Sequence, residues 1–276
     1  FRHRKGRTVP KRHRMRTIAI QRDARFSPNS VEKDYAILTA VVQVLGGEII
    51  AESSLKPDHL AKADVILNMG RLPHTLQLLE EYATGKCIVN SASGVRNCQR
   101  SQITRLMRNA GIPIPPEEGS NGYWLKRGDE AAQAQNDIQY CAGKAELEQA
   151  KVAFHSRGIA NMVVQAHIEG DLVKFYGVDG TGFFRCFYPT DDGITKFGDE
   201  QHNGTAHHYP FNGEALEATA NRISALSDTP VYGGDAIVTA EGAFYIIDFN
   251  DWPSFSRCRD EAAKAIKAYV VAQRKI

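Results

Sequence analysis

No run of eighteen apolar residues occurs anywhere in the sequence, so no helix of the chain is expected to cross a membrane. Cysteine is scarce. Cys87, Cys98, Cys141, Cys186 and Cys258 are odd in number and scattered without CxxC spacing, which excludes a disulfide framework and a cysteine-built zinc or redox site, and suits a reducing, cytoplasmic setting. No GxGxxG follows the first strand, which argues against a Rossmann-type dinucleotide protein. Internal repeats are absent as well, and beyond the N-terminal tail so are low-complexity segments. Nor is there a strong excess of one charge: 34 Lys and Arg stand against 32 Asp and Glu. Seven of the 34 (Arg2, Arg4, Lys5, Arg7, Lys11, Arg12 and Arg14) crowd into the first fourteen residues, leaving 27 against 32 in the remainder. A mildly acidic body is a poor partner for nucleic acid. The basic opening lacks the apolar core of a signal peptide and reads as a solvated tail, with Met15 as a start running straight into a first strand; residues 1–14 are set aside.

What is present is a change of periodicity along the chain. Thr17–Ile20, Gly47–Ala51, Ala63–Asn68 and Lys86–Asn90 read as strands, with helices at Glu32–Leu45 and Leu76–Ala83 between them. That alternation predicts a small open parallel α/β domain over 15–95. After the polar break at residues 90–94, Ile103, Leu106, Met107 and Ala110 keep helical spacing up to Gly111, and Pro113, Pro115 and Pro116 force an extended segment. A strand at Gly122–Lys126, a helix at Ala145–Arg157 and a strand at Met162–Ile168 complete a second unit, 96–170. From Leu172 the pattern turns to two-residue alternation with Asp-Gly pairs at 179–180 and 192–193, which suits antiparallel hairpins. A helix at Glu214–Leu226, a hairpin around Glu241-Gly242 and a terminal helix from Asp260 to about Arg274 close a third unit, 171–276. The expected class is therefore α/β followed by α+β.

The chemistry is concentrated near the C-terminus. Gly233-Gly234-Asp235-Ala236-Ile237-Val238 is followed after one turn by Phe244-Tyr245-Ile246-Ile247-Asp248-Phe249-Asn250-Asp251-Trp252-Pro253. Adjacent antiparallel strands would bring Asp235 to Asp248, and the strand period puts Asn250 on the face of Asp248. Three oxygen ligands converging in this way suit Mg²⁺, which takes one or two carboxylates and completes its octahedron with phosphate oxygens. Asp248 and Asn250 could instead simply start a turn before Pro253. That reading does not explain a carboxylate placed directly after four apolar or aromatic residues, where an unpaired charge is costly.

An Asp on one strand and Asp-x-Asn at the end of the next, then a Pro-containing loop and a terminal helix, resembles the metal-binding end of ATP-grasp enzymes. Other motifs follow in family order. Residues Ser101 to Pro115 resemble the helix and turn that open the first ATP subdomain. Tyr123-Trp124-Leu125-Lys126 is similar to the strand whose lysine touches nucleotide phosphates, and residues Met162 to Asp171 to the segment whose backbone pairs with adenine. The resemblance, closest to ribosomal-protein glutamate ligases and glutathione synthetases with features of inositol trisphosphate kinases, implies the ATP-grasp fold. It implies ATP and Mg²⁺, with Mn²⁺ as a substitute, on Asp235, Asp248 and Asn250. It implies phosphate contacts from Lys126 and Arg100, an adenine hinge at Gln165, Ala166 and Ile168, and ribose contacts from Glu169 or Asp171. Lys174 and Arg185, each inside an apolar strand, would stabilise the transferring phosphoryl group. The family's glycine-rich lid is missing: residues 127–136 contain one glycine, and Lys196 and His202 are candidates for a substitute.

The resemblance implies an ADP-forming ligase that joins a carboxylate to an amine or thiol through an acyl phosphate. The main alternative is a kinase of a small-molecule hydroxyl, and a nucleotide-binding regulator without turnover is the third. The acceptor would be a small molecule or peptide, anionic if Arg71 and Arg96 hold it, and a homodimer is left open.

Overall fold

The computed structural model describes residues 15–129, 134–192 and 200–274. Its first layer is a parallel sheet of β1 (Thr17–Gln21), β2 (Glu48–Ala51), β3 (Val65–Asn68) and β4 (Cys87–Val89) in the order β2-β1-β3-β4. β1 and β3 are apolar along nearly their whole length because both faces are covered, as parallel strands require. The crossovers include α1 (Val31–Leu45), α2 (Pro57–Ala61) and α3 (Pro73–Glu81). Glu32 and Asp34 sit in the first turn of α1, where the helix dipole favours them, and α1 stops at Gly46 with φ of 85°. α4 (Ala92–Asn97) and α5 (Arg100–Asn109) lead out of this layer.

The second sheet is antiparallel: β6 (Ile138–Cys141), β5 (Tyr123–Arg127) and β7 (Met162–Ala166), in that order, with α6 (Lys144–Ser156) on one face. Tyr123, Leu125 and Cys141 pack with Leu147, Ala150 and Phe154 of α6. The period of two therefore sends Trp124 and Lys126 to the opposite face, with Gln165 across from Trp124.

The third sheet, also antiparallel, runs β11 (Phe244–Asp251), β10 (Val231–Val238), β8 (Asp171–Val178), β9 (Phe183–Phe187). Between β9 and β10 the chain forms α7 (Glu200–Asn203) and α8 (Gly213–Ser227), and α9 (Arg259–Gln273) follows β11. Val173, Phe175, Ala236, Val238 and Phe249 face α5 and α8. The other face carries Tyr176, Val178, Val231 and Trp252 into a core shared with α9, α1 and the first sheet. Polar contacts lock that seam. The Asn90 carboxamide donates to the Val231 carbonyl at 2.8 Å and accepts from its N–H at 3.0 Å, and the Trp252 indole N–H donates to the Val89 carbonyl at 3.0 Å.

The predicted elements match these within a few residues at their ends, and the expected hairpin at 179–180 joins β8 to β9. Of the hairpin expected at 192–193, Asp192 ends a turn of 3₁₀ helix that begins at Pro189, and Gly193 lies outside the described residues. The basic tail and Lys196 lie outside them too. Among the described residues no helix is long and apolar enough to cross a membrane.

Candidate active site

The open end of the third sheet gathers charge on one face. β8, β10 and β11 align so that Lys174 stands opposite Asp235 and Asp235 opposite Asp248, three charged residues in one row across three strands. Opposite positions on antiparallel strands share a face, so this follows from register alone. Asn250, opposite Gly233, lies in the next row of the same face. The sequence reasoning had anticipated a common face for the three oxygen-bearing side chains. On the other flank Leu172, Ile237 and Ile247 form a small apolar patch that Ile168 joins.

Each carboxylate has a cation. The Lys174 ammonium is 2.8 Å from Asp235 Oδ1, and the Arg100 guanidinium is 3.3 Å from Asp248 Oδ2. Burial alone would depress the ionisation of Lys174, but Asp235 overrides it and holds the ammonium above the ordinary lysine range. Asp248 shows the converse. Its burial works against ionisation, yet Arg100, Lys126 and Lys174 together keep its carboxyl below the usual carboxylate value. Arg100 is 8% exposed and Lys126 4%; Arg100 also donates to the Arg127 carbonyl at 2.9 Å, and the Lys126 ammonium reaches the Ile247 carbonyl at 3.3 Å. Among the described residues three cations flank these two carboxylates, a setting suited to phosphates.

Among the described residues no three carboxylate, imidazole or thiol groups gather in metal-binding fashion. The donor set here is two carboxylates and one carboxamide, all hard oxygens, which suits Mg²⁺ when phosphate oxygens fill its remaining positions. Asp235 Oδ1 is buried, and its near neighbour is the Lys174 ammonium at 2.8 Å. An acceptor in that state fits a cation ligand.

The hinge candidates lie at the end of β7. Gln165 is buried beside Trp124. The Ala166 N–H already donates to the Pro116 carbonyl at 2.7 Å, and the His167 N–H to Gly122 at 2.9 Å. Ile168 is the first hinge residue whose backbone makes no hydrogen bond among the described residues. Glu169 is exposed at a cavity of about 530 Å³ between this hinge and residues 239–245. His202 stacks on Tyr140 with ring centres 4.0 Å apart, at the rim of the same cleft.

Two expected positions lie apart from the charged cluster. Arg185 shares the face of the charged row but sits on the edge strand β9, opposite Tyr176; it pairs with Glu261 and lies 5.1 Å over the Phe183 ring, outside the cluster. Asp171 was expected at ribose hydroxyls. Instead it is 2% exposed, and its two oxygens accept the N–H groups of His207 at 2.7 Å and Tyr209 at 2.8 Å, which ties down the loop after α7.

No protein-family model and no curated protein matches the sequence. Solved structures do match the fold. The chain is similar to D-cycloserine synthetase DcsG (13% identity, 92% of this chain and 99% of that one, TM-score 0.62). It is similar to the D-alanine–D-alanine ligase of Bacillus anthracis (13%, 95% and 99%, 0.61) and to a RimK-domain ATP-grasp protein of Sphaerobacter thermophilus DSM 20745 (17%, 92% and 99%, 0.58). The chain has the ATP-grasp fold.

Within this ATP-grasp chain a second cavity, about 270 Å³, opens between the first sheet and the charged row. Asp248, Asn250 and Arg100 line one end. Arg71 and Arg96, singled out in the sequence as anion holders, line the other, and each already has a partner. The Arg71 guanidinium lies 2.8 Å from Asp251, and Arg96 pairs with Glu80 at the surface. Asp251 is 3% exposed and went unremarked in the sequence, where it looks like one more turn residue before Pro253. Glu52 went unremarked too, though it accepts from the N–H groups of Asp23, Arg71 and Leu72 and the hydroxyl of Thr75, fixing the loops that follow β1 and β3. A lone Glu after a strand carries no signal for such a task.

Proposed function

We propose that the chain is a Mg·ATP-dependent, ADP-forming ligase that activates a carboxylate as an acyl phosphate for attack by an amine or thiol. The observation that carries this reading is the row Lys174, Asp235, Asp248 with Arg100 and Lys126 beside it. Mg·ATP, when bound, supplies the phosphoryl group. Asp235, Asp248 and Asn250 would hold the metal, with Mn²⁺ as a substitute, and Lys126 and Arg100 would balance the phosphates. The Ile168 amide and carbonyl would pair with the adenine edge, over the apolar patch of Leu172, Ile237 and Ile247. Lys174, held protonated by Asp235, keeps a positive charge where negative charge grows during transfer. Arg100, which pairs with Asp248 here, would turn toward the phosphates where Asp248 holds the metal. The five cysteines are unpaired, as a reducing cytoplasm would keep them.

The kinase alternative rests on Lys174 and Arg185 acting together, and the pairing of Arg185 with Glu261 speaks for the ligase. Calorimetry with Mg·ATP tests the nucleotide reading: binding should require the metal and should vanish in Asp248→Asn. ³¹P NMR then separates the reactions. A ligase gives ADP and inorganic phosphate only when a carboxylate and an amine or thiol are both present, whereas a stable phosphorylated product would overturn the ligase in favour of the kinase.

A further inference from the structure

The 270 Å³ cavity has a composition that nothing in the nucleotide chemistry requires. One wall is apolar: Phe26, Pro73, Leu76 and Val95, contributed by the loop after β1, the start of α3, and α4. The floor is the ion pair of Arg71 and Asp251, 2.8 Å apart with side chains 15% and 3% exposed. The Arg71 guanidinium donates to Asp251 Oδ1, so the pair is closed on itself. The cavity is joined to the reacting end through Asp248 and Asn250.

Those two features select by charge and by surface. An ion pair already closed on itself has no net charge to offer, so a dianion or a cation entering there would be desolvated without compensation. A zwitterion brings no net charge, and its ammonium and carboxylate match Asp251 and Arg71 one to one. The apolar wall favours a side chain with no polar atoms of its own. The volume is at the small end for ligand pockets and suits one amino acid rather than a polymer.

We infer that the acceptor subsite of this chain takes a free, zwitterionic amino acid with an aliphatic or aromatic side chain, laid against Phe26, Pro73, Leu76 and Val95 with its charged end on Arg71 and Asp251. The inference rests on the ligase reading above and narrows it from anionic acceptors in general to this class.

The test uses the full chain with Mg·ATP and follows ADP release for single amino acids and their pairs, beside aspartate, glutamate, lysine and a polyol phosphate. Leucine-like or phenylalanine-like acceptors should exceed the charged ones in kcat/KM by about tenfold or more, as expected where a buried charge would go unpaired. Phe26 is only half-buried and belongs to no core cluster, so Phe26→Asp should fold. It should reduce that preference at least fivefold while the Kd for Mg·ATP stays unchanged. A preference for charged or phosphorylated acceptors overturns the inference, as does no turnover with any amino acid, or selectivity indifferent to Phe26→Asp. Failure to bind Mg·ATP at all would instead overturn the ligase reading, which calorimetry of the unaltered chain reports separately.

Discussion

At the scale of single residues, the difference between a charged side chain that is used and one that is merely present is its partner. Asp248 sits among Arg100, Lys126 and Lys174, so Asp248→Asn removes the carboxylate that Arg100 pairs with among the described residues. We expect it to lose at least about a hundredfold in ADP formation and about 1–3 kcal/mol of stability, since breaking a largely buried pair strands its partner. Arg185→Ala should leave both within error, about 0.5 kcal/mol or less, because an exposed pair with Glu261 contributes little. Steady-state assays and urea melts of the two variants decide this, and a strong catalytic loss in Arg185→Ala would reinstate it as a site residue. The sequence showed both as charges within apolar strands. It could not show that β9 is an edge strand, where an inward-facing position still reaches solvent.

Thiols give a pH prediction at the same scale. Burial pushes the Cys186 and Cys258 thiols up to about 11 from an ordinary value of 9.0. The folded chain therefore prefers the neutral thiol, and the unfolded chain ionises first. Their stabilising contribution is complete below about pH 9 and is lost as pH rises toward 11. Urea stability measured from pH 8 to 11 should fall, and the double variant Cys186→Ser, Cys258→Ser should fall less steeply. An identical slope in both proteins would contradict it.

Elements explain why the chemistry was legible and its supports were not. Two strands of known period, joined by a short turn, settle which side chains share a face, so Asp235, Asp248 and Asn250 could be grouped from sequence alone. Even the bulge between Asp235 and Ala236 does not disturb this, because the extra residue, Ile247, falls beyond the row. Gly234 is also explained at this scale: a Cβ there would meet the Phe175 ring at 2.4 Å and the Asp248 carbonyl at 2.5 Å, so β8, β10 and β11 could not pack as they do with a larger residue. The partners of Asp171 were not legible, because an acidic residue after the hinge satisfies the family pattern whatever it touches. Its partners, the backbone at 207 and 209, lie more than thirty residues away, and no local signal announces them. Asp171→Ala should take away the acceptor of two part-buried N–H groups and cost about 1 kcal/mol. Hydrogen exchange should report faster exchange at His207 and Tyr209 than in the parent, and unchanged protection there would refute the anchoring role.

Across the whole molecule, the three sheets are not independent units. The sequence pattern breaks near residue 95, where polar residues interrupt it, but the core beneath that break joins α1 and the first sheet to Tyr176, Val178, Val231 and Trp252 of the third. Side chains from both sides are needed to bury either, so the first layer should not unfold alone. Near-UV and far-UV circular dichroism should therefore give one coincident urea transition. Asn90→Ala removes both bonds to Val231 inside that seam and should lower stability by about 2–3 kcal/mol without splitting the transition. Because the same seam holds Arg71 and Asp251 at the floor of the cavity, a loosened seam should also raise KM for the acceptor before it affects binding of Mg·ATP. Two separate transitions, or a KM that moves for nucleotide and not for acceptor, would mean that the layers fold and act apart.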